Sequence, residues 1–285
     1  SISLGIQFGF DSLQFRFPVF NPNNPHEIIY QYINYQTDVF QLLKYNYTTK
    51  QKQMLVDNFR TSFQPEWSRL NFIEYYNYFV QPVKINLNGE FIPPNANPFT
   101  GSVIGLPNGK EVVWNNGNSI FKKNINQNKI DTLVKDISSK VYFSTTGIAL
   151  FRNIDGFQYT DLNSLTESST VDYKQISINI QGSIPGLCWH PSGKKFYVSQ
   201  IFDYEKSGIY EVEFPSGKAR KIIQFCDKRV YKSLSCSTNG NYLVGEGIDM
   251  YQQFDNQGNF TGKIFENSNI YLINIQTSEE IKLDL

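Results

Sequence analysis

Side chains able to do chemistry are few in this sequence, and they are scattered. His26 and His190 are its only histidines, one in a polar turn after Pro25 and the other in a tight turn after Trp189. Both read as turn residues. General acid–base work needs carboxylates or imidazoles held within hydrogen-bond reach of a reacting group. The acids that could converge from separate segments are Asp203, Glu205, Glu246, Asp249 and Asp255. No Gly-x-Ser-x-Gly elbow, phosphate-cradling glycine loop or His-Glu-x-x-His is present, so the common catalytic motifs are missing. Cys188, Cys226 and Cys236 lack the C-x-x-C spacing of metal or redox sites. Cys188 and Cys236 fall in apolar runs and read as buried thiols, with a Cys226–Cys236 disulfide as the alternative in an oxidising compartment. Calcium is the form a metal would take, from oxygen ligands in residues 249–262. That stretch lacks EF-hand spacing, and neither a metal nor a cofactor is expected.

Composition narrows the partners. Lys plus Arg and Asp plus Glu both number 26, and no basic cluster breaks the balance. The counterion-release term that drives nucleic-acid binding therefore has no source. No stretch reaches the roughly 18 consecutive apolar residues that a membrane-spanning helix requires. Aromatic residues make up 15% of the chain and charged residues 18%. That balance favours strands, whose pleated, half-buried surface suits flat side chains.

The elements that would have to position a site recur. Gln64-Pro65-Glu66-Trp67-Ser68 and Leu187-Cys188-Trp189-His190-Pro191-Ser192-Gly193 each end a strand on an aromatic and enter a tight turn. Weaker copies surround Phe20, Gly105, Phe143 and Cys236, and the six anchors stand 38 to 47 residues apart. Proline presets an early turn position, and Gly or Asn then takes the positive φ that closes it. Further along each unit an alternating strand begins, at Val39, Phe79, Ile120, Phe157, Ile209 and Ile270. Such spacing suits four short antiparallel strands per unit, near the period of propeller blades. Five or seven blades are the alternatives, because the first and last units are irregular. Two β-sandwiches would need a linker where residues 153–161 continue the repeat, and a β-helix would need a shorter period.

These turn-and-strand units resemble the repeat of TolB, a family of β-propellers related to WD repeats. The resemblance runs from about residue 13 to residue 285, although only Trp67 and Trp189 keep the aromatic as Trp and no unit keeps Pro-Asp-Gly intact. It implies an all-β, six-bladed propeller of four-stranded antiparallel blades forming one domain over residues 1–285. Residues 2–10 form a strand that helps to close the ring. The resemblance also implies a location in the bacterial periplasm, on the outer-membrane surface or outside the cell.

On such a scaffold binding belongs to the face with the longer loops, which joins strand two to strand three and blade to blade. That face is aromatic and amide-rich, and the candidate contacts are Tyr35, Tyr76, Trp114, Asn115, Phe202, Tyr204 and Tyr251. The innermost strands supply the channel-lining candidates Arg16, Gln64, Glu66, Ser102, Ser138 and Ser183. Tyr and Trp offer large contact area at little entropic cost, as a protein interface needs. The chain therefore reads as a non-catalytic binding or scaffold propeller whose partner is a protein. The alternative is an enzyme or a glycan-binding protein acting at the loop-face mouth of the channel. Residues 250–269 are expected to hold a projecting hairpin with strands at residues 250–254 and 260–265, a length uncommon without a use.

Overall fold

The computed structural model describes residues 7–10, 13–60, 64–77, 81–93, 99, 103–124, 126–127, 129–137, 139–153, 156–167, 170–178, 182–202, 205–225, 229–254 and 260–285. Of these, residues 7–10, 76, 153, 250–254 and 260–265 are described by their backbone alone. Six antiparallel blades form a ring, and the described residues contain no helix. After a short strand β1 (Gln7–Phe10), the first blade is built from β2 (Leu13–Asn21), β3 (Asn24–Asn34), β4 (Val39–Asn46) and β5 (Gln51–Asp57). The second has β6 (Glu66–Trp67), β7 (Phe72–Tyr76) and β8 (Pro82–Asn86), with a bridge from Ile85 to Phe91 at the fourth-strand position. The third has β9 (Val103–Gly105), β10 (Glu111–Asn115), β11 (Ile120–Asn124) and β12 (Ile130–Val134). The fourth has β13 (Val141–Phe143), β14 (Ile148–Asn153), β15 (Gly156–Asp161) and β16 (Lys174–Ile176). The fifth has β17 (Ser183–Trp189), β18 (Lys195–Ile201), β19 (Gly208–Glu213) and β20 (Ala219–Gln224). The sixth has β21 (Arg229–Cys236), β22 (Tyr242–Phe254), β23 (Phe260–Asn274) and β24 (Glu280–Lys282).

The repeat read from the sequence has a physical cause. Every anchor lies at or next to the end of an innermost strand, and in five blades the turn beyond it closes by one backbone bond. Asn71, Gly109, Gly147, Gly193 and Gly240 donate their N–H to the carbonyls of Ser68, Leu106, Ser144, His190 and Ser237. All five donors have φ between 62° and 85°. Glycine reaches that region without penalty, and Asn is the side chain that tolerates it best.

Packing follows from the ring. Instead of one central core there are six apolar clusters, one in each seam between neighbouring blades. Each blade is buried on both faces, which is why its strands alternate less cleanly than the half-exposed strands of an open sheet. The hairpin expected in the last blade is present. β22 and β23 stay paired out to Phe254 and Phe260, well beyond the blade. Strand β1 lies parallel to residues 263–266 of that extension, on the edge that β24 covers further along.

Candidate functional site

The channel opens at both ends, and its walls differ. At the turn face lies a funnel of about 220 Å³ walled by Phe20, Trp67, Phe143 and Trp189, with Glu66 at its side. The Trp189 indole donates to the Tyr142 carbonyl of the preceding blade at 2.9 Å, whereas the buried Trp67 Nε1 has no hydrogen-bond partner among the described residues. At the loop face a cavity of about 470 Å³ is lined by Arg16, Gln64, Lys140, Pro185 and Lys232, one residue from each of five innermost strands or their approaches. Each stands three or four positions before its anchor. Counting back from the anchors would have found Lys140 and Lys232, which reasoning from the sequence missed.

The loop-face mouth is built around Glu246, which is 3% exposed in the middle of β22. Phe17 N–H donates to its Oε2 at 3.1 Å, and the Ser233 hydroxyl lies 3.3 Å from the same oxygen. Ser268 Oγ donates to the Phe15 carbonyl at 2.7 Å and lies 3.3 Å from Glu246 Oε1. A hydroxyl has one proton to give. That proton can serve the Phe15 carbonyl or Glu246 Oε1, but not both at once. Burial raises the Glu246 pKa above its ordinary value, against the pull of Phe17 N–H and the nearby Arg16 and Lys232 charges. Phe17 adopts φ 54°, costly for a bulky residue, at a bulge between Arg16 and Val19. That bend aims its N–H at the carboxyl.

Cations dominate what remains. Arg16 is bonded to the neutral side-chain oxygen of Gln14. Lys140 lies over the Tyr142 ring. Lys232 stands 3.6 Å from Glu266, an acid of the hairpin strand β23. Arg16, Lys140 and Lys232 thus stand around the mouth against the acids Glu246 and Glu266.

The candidates from the sequence divide. Arg16 and Gln64 line the loop-face mouth, and Glu66 lines the opposite funnel. Ser183 is exposed at the start of β17, outside the lining described for either mouth. The bulge between Ser183 and Gly186 leaves Pro185 facing the channel instead. Trp114 is a correction. It is 4% exposed, stacks on Phe121 and meets Phe99 edge-on in the seam between the second and third blades, so no partner can reach it. Asn115 spends its side-chain oxygen on the Gly117 N–H of its own turn. Tyr35 and Phe202 are 44% and 52% exposed in the two-to-three connections of the first and fifth blades. Tyr76 lies in β7 and Tyr251 in β22, where their side chains are not described, and Tyr204, Ser102 and Ser138 lie outside the described residues.

His190 remains a turn residue, its Nδ1 accepting from the Ser192 N–H at 3.1 Å, while burial and Lys195 lower its pKa. Cys188 and Cys236 are free thiols, and Cys226 lies outside the described residues. Among the described residues no three His, Cys, Asp or Glu side chains gather as a metal site, and no helix is long and apolar enough to cross a membrane.

Comparison with solved structures returns the architecture. TolB from Acinetobacter baumannii superposes with a TM-score of 0.53 at 15% identity, over 96% of this chain and 64% of its own. This chain thus spans just under two thirds of that protein. An oligogalacturonate lyase from Vibrio parahaemolyticus gives 0.50 at 12% identity, over 94% and 77% of the two chains. The structure of a nidogen/laminin complex gives 0.53 at 8% identity, over 85% and 88%. The likeness is one of fold. No family model matches the sequence, and no curated protein does either.

Proposed function

We propose that this chain is a non-catalytic binding propeller whose loop-face mouth takes an acidic segment of a partner protein. The observation that carries the reading is the set of Arg16, Lys140 and Lys232 around a 470 Å³ cavity in which the Glu246 carboxyl is buried and its pKa raised. A carboxylate entering there gains charge-assisted bonds from side chains that Glu266 offsets only in part. Tyr35 and Phe202 supply apolar contact on the same face. The fold shared with TolB is compatible with a place in the bacterial envelope or among secreted proteins, where such a scaffold joins a larger assembly.

The test uses a fluorescent deca-glutamate peptide and its deca-glutamine counterpart, read by anisotropy at low and high salt. The glutamate peptide is expected to bind at least tenfold more tightly and to weaken with salt. The Arg16→Ala, Lys140→Ala double variant is expected to erase the difference. Equal binding of the two peptides, or an indifferent double variant, refutes the reading.

One observation favours a second, catalytic reading: burial raises the Glu246 pKa, the direction a general acid needs. Against it, both carboxyl oxygens are engaged by the scaffold. Glu266 lies opposite Met250, four residues along the strand and so roughly 13 Å away in backbone distance. The carboxyl pairs of glycosidases stand about 5–10 Å apart.

A further inference from the structure

The two described thiols belong to one seam. Cys188 and Cys236 both pack against the apolar cluster between the fifth and sixth blades, and both line the turn-face funnel. Their strands, β17 and β21, are innermost strands of neighbouring blades and run in the same direction. Two residues before Cys188, the position a Cβ would take on Gly186 lies 3.1 Å from Leu234 N and 3.2 Å from the Ser233 carbonyl carbon. A Cβ there would be crowded, and the missing side chain eases the close approach of the two backbones. From Gly186 to Cys188 and from Leu234 to Cys236 the pairing register is unbroken.

Side chains two apart on a strand point to the same face. Cys188 therefore points where the Gly186 hydrogen points, toward the sixth blade. Cys236 points with Leu234, which is buried in the same seam, toward the fifth. Carried two residues along the parallel strands, the Gly186 approach brings Cys188 against the backbone of Cys236. Burial pushes both thiols up, Cys236 to about 12, and the Cys236 charge adds to the rise at Cys188.

We propose that Cys188 and Cys236 form a redox-active pair that closes into a disulfide across the fifth and sixth blades, in the wall of the turn-face funnel. The reaction needs an oxidant of the small-disulfide class. One protein thiolate attacks the small disulfide and releases one small thiol. The second protein thiolate then attacks the mixed disulfide and releases the other. Two protein thiols lose two protons and two electrons, and one small disulfide becomes two small thiols. The funnel gives a small oxidant access to sulfurs that are otherwise packed among apolar side chains. Closure covalently joins blades held at this seam by side-chain packing, and does so independently of the loop-face mouth.

The experiment exposes the folded full chain to excess oxidised glutathione at pH 8, blocks remaining thiols and maps the peptides by mass spectrometry. The expected product is a cross-link between the peptides of Cys188 and Cys236, lighter than the reduced pair by two hydrogens. It should form equally in Cys226→Ser and be absent from Cys188→Ala and Cys236→Ala. The thermal midpoint of the wild type should rise on oxidation and fall back on reduction. A dominant cross-link through Cys226 overturns the proposal, as does capture of glutathione on one cysteine without release, or thiol loss only under unfolding conditions. Because the cross-link is read on the wild-type chain, failure of a variant to fold leaves the test intact.

Discussion

Glu246 shows how one buried carboxyl couples a site to stability. Its pKa in the folded chain lies above the ordinary 4.5 because burial disfavours the charge. Between the unfolded and folded values the native state holds the extra proton, so stability falls as pH rises through that window. Below about pH 4.5 both states are protonated and the effect vanishes. Glutamine keeps the neutral shape, accepting from Phe17 N–H through its oxygen and donating to Ser268 through its amide. We expect Glu246→Gln to match the wild type near pH 4 and to melt at a higher temperature at pH 8. Glu246→Ala, which leaves Phe17 N–H buried without an acceptor, should lose about 1–3 kcal/mol across the whole range. Thermal melts of the three proteins from pH 4 to 8 decide this; a Gln variant less stable at pH 8 would mean the carboxylate is charged and favourable in the fold.

At the scale of the element, the tight turn after each innermost strand does more than reverse the chain. A Cβ on Gly240 would run into the His190 ring of the neighbouring blade, whereas one on Gly109 would meet nothing within 4 Å. Both glycines have φ near 70°. Alanine at either carries the left-handed penalty of about 1–2 kcal/mol, and Gly240→Ala should cost at least about 1 kcal/mol more. Urea denaturation of the pair measures the difference, and equal losses would show that the turns do not brace one another. These turns were legible because their chemistry is local: a strand ending on an aromatic, then Pro, Ser or Asn, then Gly. The same logic located the hairpin and the third strands of the other blades, while in the second blade the strand is Pro82–Asn86 and Phe79 lies outside the described residues. It failed where a bulge changes which side chain faces inward, as between Ser183 and Gly186, where Pro185 takes the channel position. Trp114 misled for a related reason, since an aromatic near a strand end suits a seam as well as a surface. Glu246 stood out in the sequence only as one of five acids that could converge, because its partners come from residues 17, 233 and 268.

At the scale of the molecule, the ring must join its first blade to its last, and the N-terminal strand takes part. The last blade takes β21 to β24 from the end of the chain, and β1 adds to the same sheet by pairing with β23 on the projecting hairpin. Closure rests on an apolar cluster that includes Phe20, Tyr30, Val244 and Leu272, and on bonds between side chains and backbone. Phe17 N–H reaches Glu246, Phe20 N–H reaches Ser235 Oγ at 3.1 Å, and Ser268 Oγ donates to the Phe15 carbonyl. Outside the short ladder of β1 on β23, these bonds stand singly, with no neighbour in a ladder to replace them. Ser268 is the sharpest test, being buried and placed to serve both the Phe15 carbonyl and the Glu246 carboxyl. Ser268→Ala should cost about 1–3 kcal/mol, the price of an unmatched buried polar group. The loss should also be local, because regions of a fold open with separate free energies. Native-state hydrogen exchange should show amides of β2 and the middle of β23 losing protection first, while β10 and β14, on the far side of the ring, keep theirs. If protection falls evenly around all six blades, the ring opens as one unit and the seam between first and last is no weaker than the others.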